Sequence, residues 1–462
     1  MTDSNQTDRE MERRRYVKAL AGFGAAGAAG LAGCSGGDGG SDGGSNGGSD
    51  GSSDGSDGSS DGSDGSDTGG GSSPVEITYR DRIDILSGYA DAFNKTHDDV
   101  KINANMEPRE EKYRGVIAQI SAGNAPEALG MDVIYLPRFV QLGALSDLGS
   151  FFDGLDYTDD FFQPLQEDFI RWDGTVYGLP FWIDCSVFLY NKSHYEEAGL
   201  DPENPPTTFS EFMDACAALD QAGYTPLSNT LAFTGLEVFF FMPHVWAGGG
   251  KLFNDEMTKS LVDQQPAVDA LEFFVELQEK GYSTDQTSSE SFTYPAFNSE
   301  EASMAYTGSG IGNVKKNNKK LYNNMGVSMF PKPEGGTQSS FLGGNTLVIP
   351  KQVQQNQEKF EAAKTFANWV NTEEGMSTTV EQMGYLPARK AGFELDYVQE
   401  RWDIYGTFKK ALTQGHAPPM HPDILQMQSP LNNAIQRALL GEQEPKTALS
   451  QAADEITKIL QG

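Results

Sequence analysis

From Val75 onward, apolar positions recur at two spacings that alternate along the chain. Val75 to Tyr79 alternates like a strand, and Leu86, Ala90 and Phe93 then fall at helical spacing. Lys101 to Asn105 predicts a second strand, followed by a helix carrying Tyr113, Val116, Ile117 and Ile120. Met131 to Tyr135 predicts a third, and Pro137 opens another helix at a position where its missing N–H costs nothing. Farther on, Thr208 and Glu211 have the spacing of a capping box ahead of Phe212, Ala215 and Leu219, and Pro266 to Lys280 predicts a helix stopped by Gly281. Strands are expected at Gly326 to Phe330 and Thr346 to Ile349, and helices at Gln357 to Val370 and Leu431 to Leu440.

This βαβα order predicts a mostly parallel sheet with helices on both faces. Its length fits two α/β lobes better than one wide sheet, and ligands of open α/β sheets bind outside the carboxyl ends of the strands. One segment breaks the apolar rule. In GLPFWIDCSVFLYNK, Gly178 to Lys192, Trp182 and Asp184 stand two residues apart, which on a strand puts both on one face.

The residues ahead of Val75 read as address and spacer. Arg13-Arg14-Arg15-Tyr16-Val17-Lys18 precedes a weakly apolar Ala/Gly stretch from Ala19 to Ala32, the layout of a twin-arginine export signal. Leu31-Ala32-Gly33-Cys34 resembles a lipobox, which makes Cys34 the expected lipidation site and membrane anchor. From Ser35 to Ser73 the chain is almost wholly Gly, Ser and Asp, without the apolar side chains needed to offset the entropy of ordering. Residues 1–34 are thus expected to be a lipoprotein signal and 35–73 a disordered tether. The folded part would sit outside the cell, close to the membrane. Cys216 falls on the apolar face with Phe212 and Leu219 and is expected as a buried thiol, with Cys185 as a bystander.

Charge narrows the classes of partner. The formal net charge of −32, from 66 Asp and Glu against 34 Lys and Arg, lacks the basic stripes of a nucleic-acid binder. So acidic a surface fits a protein kept soluble in concentrated salt, and the expected source is halophilic; an ordinary acidic secreted protein is the alternative.

Motifs for catalysis are missing. Gly248-Gly249-Gly250-Lys251-Leu252 lacks the Ser/Thr and the spaced first glycine of a phosphate loop, and reads as a turn after a helix. The histidines are scattered, so no metal or other cofactor is expected. No serine sits in a nucleophile elbow, and no cysteine has a histidine partner nearby in sequence. Carboxylate pairs for glycoside hydrolysis come from distant positions, and among so many acids their presence carries no information.

Aromatic residues beside polar ones at predicted strand ends form the positive signal. They are Asp132 with Tyr135, Trp182 with Asp184, Trp246 before the glycine turn, Tyr306 to Gly308, Gly343-Gly344-Asn345, and Tyr385 to Arg389. A flat ring covers the C–H face of a sugar, while Asp, Asn and Arg bind its hydroxyls.

The order of segments resembles the extracellular solute-binding proteins that feed sugar-importing ABC transporters, the group that includes maltose- and trehalose-binding proteins. SAGNAPEALGMDVIYLPRFVQLGALSDL resembles that family's first-lobe segment and DGTVYGLPFWIDCSVFLYNKSHYEEAGL its first crossover; HVWAGGGKLF, FNSEEASMAYTG, FLGGNTLVIP and GYLPARK follow in order. The resemblance implies an α/β, two-lobed fold of the class II periplasmic-binding-protein type, with hinge crossings and a ligand cleft between lobes. Mapped onto this chain, 75–183 plus 328–376 would form lobe 1 and 184–327 plus 377–462 lobe 2. The crossings would fall at Ile183 to Ser186, near Val327 to Pro331, and around Gly375 to Val380. Asp184, Asp132, Gly344 and Arg389 match ligand-lining positions of relatives. With Tyr135, Trp182, Trp246, Tyr306 and Asn345 they make the candidate binding set. Thr307-Gly308-Ser309-Gly310 and Asn345 stand where many relatives carry tryptophan, which implies a smaller or more polar ligand. The expected partners are a carbohydrate and an ABC permease, with the protein a monomer and not an enzyme. Alternatives are the same fold binding glycerol phosphate or a peptide, a secreted glycoside hydrolase, and a structural surface protein.

Overall fold

The computed structural model describes residues 73–81, 86–106, 109–167, 169–229, 231, 237–284, 286 and 294–462. The chain divides into two units, Met1–Gly69 and Gly70–Gly462. The first unit lies outside the described residues, and with it the expected export signal, Cys34 and nearly all of the tether.

Lobe 1 opens with β1 (Val75–Asp81), β2 (Val100–Met106) and β3 (Ala128–Asp132), which are parallel and joined through helices Leu86–Thr96 and Arg109–Ala122. The third strand is earlier than its apolar run implied. It ends at Asp132, and Val133–Tyr135 turns as a 3-10 helix into helix Leu136–Gln141, because Pro137 in that first turn fixes a helical φ and cannot donate to a ladder. A small hairpin, β4 (Arg171–Trp172) and β5 (Thr175–Val176), leads to β6 (Gly178–Cys185) and β7 (Val187–Asn191).

The remaining strands are β8 (Thr225–Ser228), β9 (Ala302–Thr307), β10 (Met325–Ser328), β11 (Ser340–Val348), β12 (Leu386–Pro387) and β13 (Gly415–His416). They complete two sheets. Lobe 1 has the order β12-β6-β11-β3-β1-β2 with β13 beside β11, and lobe 2 has β10-β7-β9-β8. In lobe 1, β11 runs antiparallel to both β3 and β6, so its first residues lie at the carboxyl ends of β1, β3 and β6.

Helix Phe209–Gln221 in lobe 2 carries the full Thr208/Glu211 capping box and buries Phe212, Ala215, Cys216 and Leu219. Helix Gln265–Lys280 ends at Gly281 in the left-handed conformation, φ 70°, where glycine has no Cβ to clash. Each sheet is buried against helices. Tyr79, Phe93, Phe181 and Phe366 lie in one core cluster, and Phe188, Phe212, Phe240, Phe274 and Tyr306 in another. Each such ring removed from water contributes about 1.5–3 kcal/mol.

The lobes meet where strands pass from one sheet to the other. Ser186 separates β6 in the first sheet from β7 in the second. The returning chain holds to lobe 2 past Val327 to Pro331, since Lys332 N–H donates to Thr207 and Thr337 N–H to Ala247. It crosses at Ser340, not at 327–331. The Ser340 hydroxyl donates to the Ser186 carbonyl at 2.7 Å, and Phe341 N–H donates to the Ser186 hydroxyl at 2.8 Å. β13 joins them, Gly415 against Ser340 and His416 against Phe341. The third crossing also moves. Leu386 and Pro387 still pair with Ile183 and Trp182, Arg389 is tied to Asp160 and Asn371, and Ala391 N–H donates to Asp160, so the chain is still in lobe 1 well past Gly375 to Val380.

Candidate functional site at the strand ends

The carboxyl ends of β1, β3 and β6 carry one acid each, Asp81, Asp132 and Asp184. Pairing brings them together. Asn345 on β11 faces Asp132 across one ladder and Trp182 across the other, and directly opposed residues share a face of the sheet. Asp81 reaches this group over Gly130, where any Cβ would lie 1.9 Å from the Asp81 Oδ2. The Asn345 amide donates from Nδ2 to both Asp81 oxygens, each at 3.0 Å, and the Tyr79 hydroxyl donates to Asp81 Oδ2 at 2.6 Å. Burial, reinforced by the Asp81 carboxylate, pushes the Tyr79 phenol well above its ordinary value, so it remains a donor.

Asp132 is 5 % exposed, and its N–H donates to the Tyr113 hydroxyl at 2.7 Å. Tyr135, half-buried, stacks on Tyr113 with ring centroids 3.6 Å apart. Trp182 is 1 % exposed, and the half-buried Tyr385 lies over it at 4.1 Å. Gly344 has φ 139°, and a Cβ there would meet the Trp182 carbonyl at 2.3 Å. Glycine is therefore demanded beside the bulge that follows Asn345.

Asp184 stands at the crossing itself. Its Oδ1 accepts from Ser309 N–H at 2.6 Å, from the Ser309 hydroxyl at 2.7 Å and from Cys185 N–H at 2.9 Å. A Cβ on Gly308 would come within 2.7 Å of both carboxylate oxygens, which ties that glycine to the close approach of the turn after β9. Beside it, Phe239 and Phe341 form a tilted pair at 4.8 Å. Burial, with Asp184 adding, pushes the Cys185 thiol up and keeps it uncharged.

Other residues of the candidate set are placed differently. Tyr306 is 1 % exposed in the aromatic core of lobe 2, stacked on Phe330 at 4.2 Å with its hydroxyl 3.1 Å from His244 Nε2. It offers no face to a ligand. Asn345 is fully buried and its Nδ2 is committed to Asp81, which leaves only its carbonyl Oδ1 without a hydrogen bond among the described residues. The Arg389 guanidinium donates to Asp160 Oδ2 at 2.9 Å and to the Asn371 carbonyl at 2.6 Å, and lies over the Tyr157 ring, all within lobe 1. Trp246, half-buried, stacks on His416 of β13 at 5.1 Å, and Ser339 bonds the same imidazole at 3.0 Å. Asp81, Tyr385 and Ser309 are site residues outside the candidate set, although Tyr385 and Ser309 stand in the stretches Tyr385 to Arg389 and Thr307 to Gly310; nothing local marks one aspartate among so many.

Among the described residues no cluster of His, Cys, Asp or Glu has the arrangement to hold a metal, and no helix is long and apolar enough to cross a membrane. The glycine run after helix Met242–Ala247 forms a turn with Gly249 at φ 81°. The arrangement can accept several hydrogen-bond donors at the floor and cover an apolar face beside them.

Curated relatives extend along most of the chain. The sn-glycerol-3-phosphate-binding periplasmic protein of Pectobacterium atrosepticum is 23 % identical over 402 residues, 81 % of this chain and 88 % of that protein. The protein of the same description from Salmonella typhimurium is 23 % identical over 409 residues, 81 % of this chain and 89 % of its own. Solved structures share the fold. An ABC transporter solute-binding protein from Thermotoga lettingae bound with alpha-D-tagatose superposes with TM-score 0.72 at 22 % identity, covering 84 % of this chain and 100 % of its own. The GacH receptor of Streptomyces glaucescens, solved unliganded and with acarbose, gives TM-score 0.74 at 22 % identity over 84 % and 99 % of the two chains. Maltose-bound MalE3 of T. maritima gives 0.74 at 21 % identity over 83 % and 100 %. The family model described as bacterial extracellular solute-binding protein matches residues 88–406. This two-lobed α/β chain therefore belongs to the bacterial extracellular solute-binding proteins.

Proposed function

We propose that this protein captures a carbohydrate outside the cell and delivers it to an ABC permease, without turnover. The observation that carries this reading is the strand-end floor, where Asp132 and Asp184 stand beside the Tyr385/Trp182 rings. Carboxylates accept from hydroxyls, and stacked rings cover a sugar's C–H face. The sugar complexes among the structural neighbours support the same ligand class. Asp132, Tyr135, Asp184 and Trp246 are the proposed contacts, with the half-buried Tyr385 as the ring face, the buried Trp182 supporting it from behind and Gly344 keeping the backbone close.

The curated relatives' names raise glycerol phosphate as the rival ligand. A phosphate is bound most strongly where arginines are open to it. Arg389 is engaged by Asp160 and Asn371, and the Arg80 guanidinium donates to Gln119 at 2.9 Å, which supports an uncharged ligand. The finer placement rests on sequence: twin-arginine export, lipidation at Cys34, a monomer tethered at the outer face of the membrane, and a halophilic, haloarchaeal source for the net charge of −32. Calorimetry against mono-, di- and short oligosaccharides and sn-glycerol 3-phosphate in molar salt tests the ligand. Saturable sugar binding without product is expected; binding of glycerol phosphate alone, or hydrolysis of a glycoside, would replace the reading.

A further inference from the structure

Asp81 lies beneath the floor, fully buried, and its partners fix which way a neighbouring amide points. A carboxylate only accepts. Bonded through Nδ2 to both Asp81 oxygens, Asn345 has its carbonyl Oδ1 on the side of the amide away from Asp81, and the residue itself is paired in the sheet with Asp132 and Trp182. That oxygen is buried and has no hydrogen-bond partner among the described residues. An unsatisfied buried acceptor is costly, and it rewards whatever donor reaches it.

We infer that Tyr79, Asp81 and Asn345 form a relay that locks the Asn345 carbonyl as an acceptor at the strand-end floor, selecting ligands that present a hydroxyl donor there and rejecting phosphate oxyanions. Gly130 is part of the device. Only a residue without a side chain lets Asp81 pass across β3 to Asn345, since a Cβ would sit 1.9 Å from Oδ2 and 2.8 Å from the Tyr79 hydroxyl. Asp81 and Gly130 are thus positioning residues that act on ligand choice through Asn345. The inference rests on the proposed location of the ligand at this floor.

The test uses isosteric changes on the full folded chain, with affinity for the panel above read by calorimetry and folding read by thermal unfolding. In Asp81→Asn the neighbouring amide is free to turn its NH₂ toward the floor, and sugar affinity is expected to fall about tenfold or more. Gly130→Ala is expected to weaken sugar binding similarly, by displacing Asp81. The reciprocal exchange, Asp81→Asn with Asn345→Asp, restores a donor facing an acceptor and leaves a carboxylate oxygen toward the floor. It is expected to recover most of the affinity. A merely structural role predicts a lowered unfolding midpoint with unchanged affinity in Asp81→Asn, which would overturn the relay. Wild-type preference for glycerol phosphate overturns both the relay and the carbohydrate reading. If no panel member binds the wild type, the carbohydrate reading fails and the side-chain amide signals of ¹⁵N-asparagine-labelled protein decide the relay. Exchange-protected Asn345 Nδ2 protons that lose protection in Asp81→Asn uphold it, and unprotected ones remove it.

Discussion

At the strand ends of lobe 1 the buried polar side chains are acids and an amide, Asp81 and Asn345 joined by hydrogen bonds and Asp132 paired with Asn345 in the sheet. Behind the end of β9 in lobe 2 they are rings, Tyr306 among His244, Phe240, Phe274 and Phe330. The two materials respond differently to damage. A polar network is worth most when every member is satisfied, and its parts act on direction and charge. A ring cluster acts through volume and exclusion of water. Changes in lobe 1 should therefore shift ligand affinity more than stability, and changes in lobe 2 the reverse.

Acid gives the largest contrast. Burial lowers His244 to about 3 from an ordinary 6.5, and burial also lowers His194, both in lobe 2. The unfolded chain takes up these protons first, so the stability His244 contributes is complete above about pH 6.5 and is lost as pH falls toward 3, with His194 acting in the same direction. For His244 the slope is about 1.4 kcal/mol per pH unit inside that window. Denaturant unfolding from pH 6.5 to 4 should lose that slope in His244→Gln, and an unchanged slope would remove His244 as its source. Tyr306→Ala comes next, at about 3–5 kcal/mol of stability from the cavity it leaves. A loss below 1 kcal/mol would mean the ring cluster is not the support of lobe 2.

Affinity changes belong to lobe 1. Asp184→Ala should weaken ligand binding by about 1.5–3 kcal/mol, the range for hydrogen bonds to a charged group, with a smaller effect on the unfolding midpoint. Calorimetry beside thermal unfolding separates the two, and a large midpoint drop with intact affinity would make Asp184 a purely structural clamp on Ser309. The smallest effect is expected for Tyr385→Leu, about 0.5–1.5 kcal/mol of affinity from the ring over Trp182. Equal losses for pyranoses and for linear polyols would argue against stacking on a ring face.

How far these features were legible depended on whether the cause was local. The Thr208/Glu211 box and the Gly281 stop are set by residues within four positions of each other, and spacing alone exposes them. Trp182 and Asp184 were visible because they interrupt an apolar run. Tyr306 was misread because an aromatic residue beside Thr307 and Gly308 looks the same whether its ring is covered by Phe330 or open. What holds Arg389 was not legible, because its partner Asp160 lies 229 positions away. The short strands β12 and β13 exist only through pairing with β6 and β11, so two-residue patterns could not announce them. Asp81 was hidden by composition, being one acid among 66.

The buried thiols carry a practical consequence. Cys185 and Cys216 are fully enclosed, and burial holds both well above their ordinary pKa, so neither competes for a maleimide at neutral pH. Leu142, 58 % exposed, ends helix Leu136–Gln141 on lobe 1, and Leu440, 52 % exposed, ends helix Ile424–Leu439 on lobe 2. Leu142→Cys and Leu440→Cys would place a dye pair on opposite lobes of the unit Gly70–Gly462 with its native cysteines left in place. The protein is in this sense prepared as an optical reporter of its own solute.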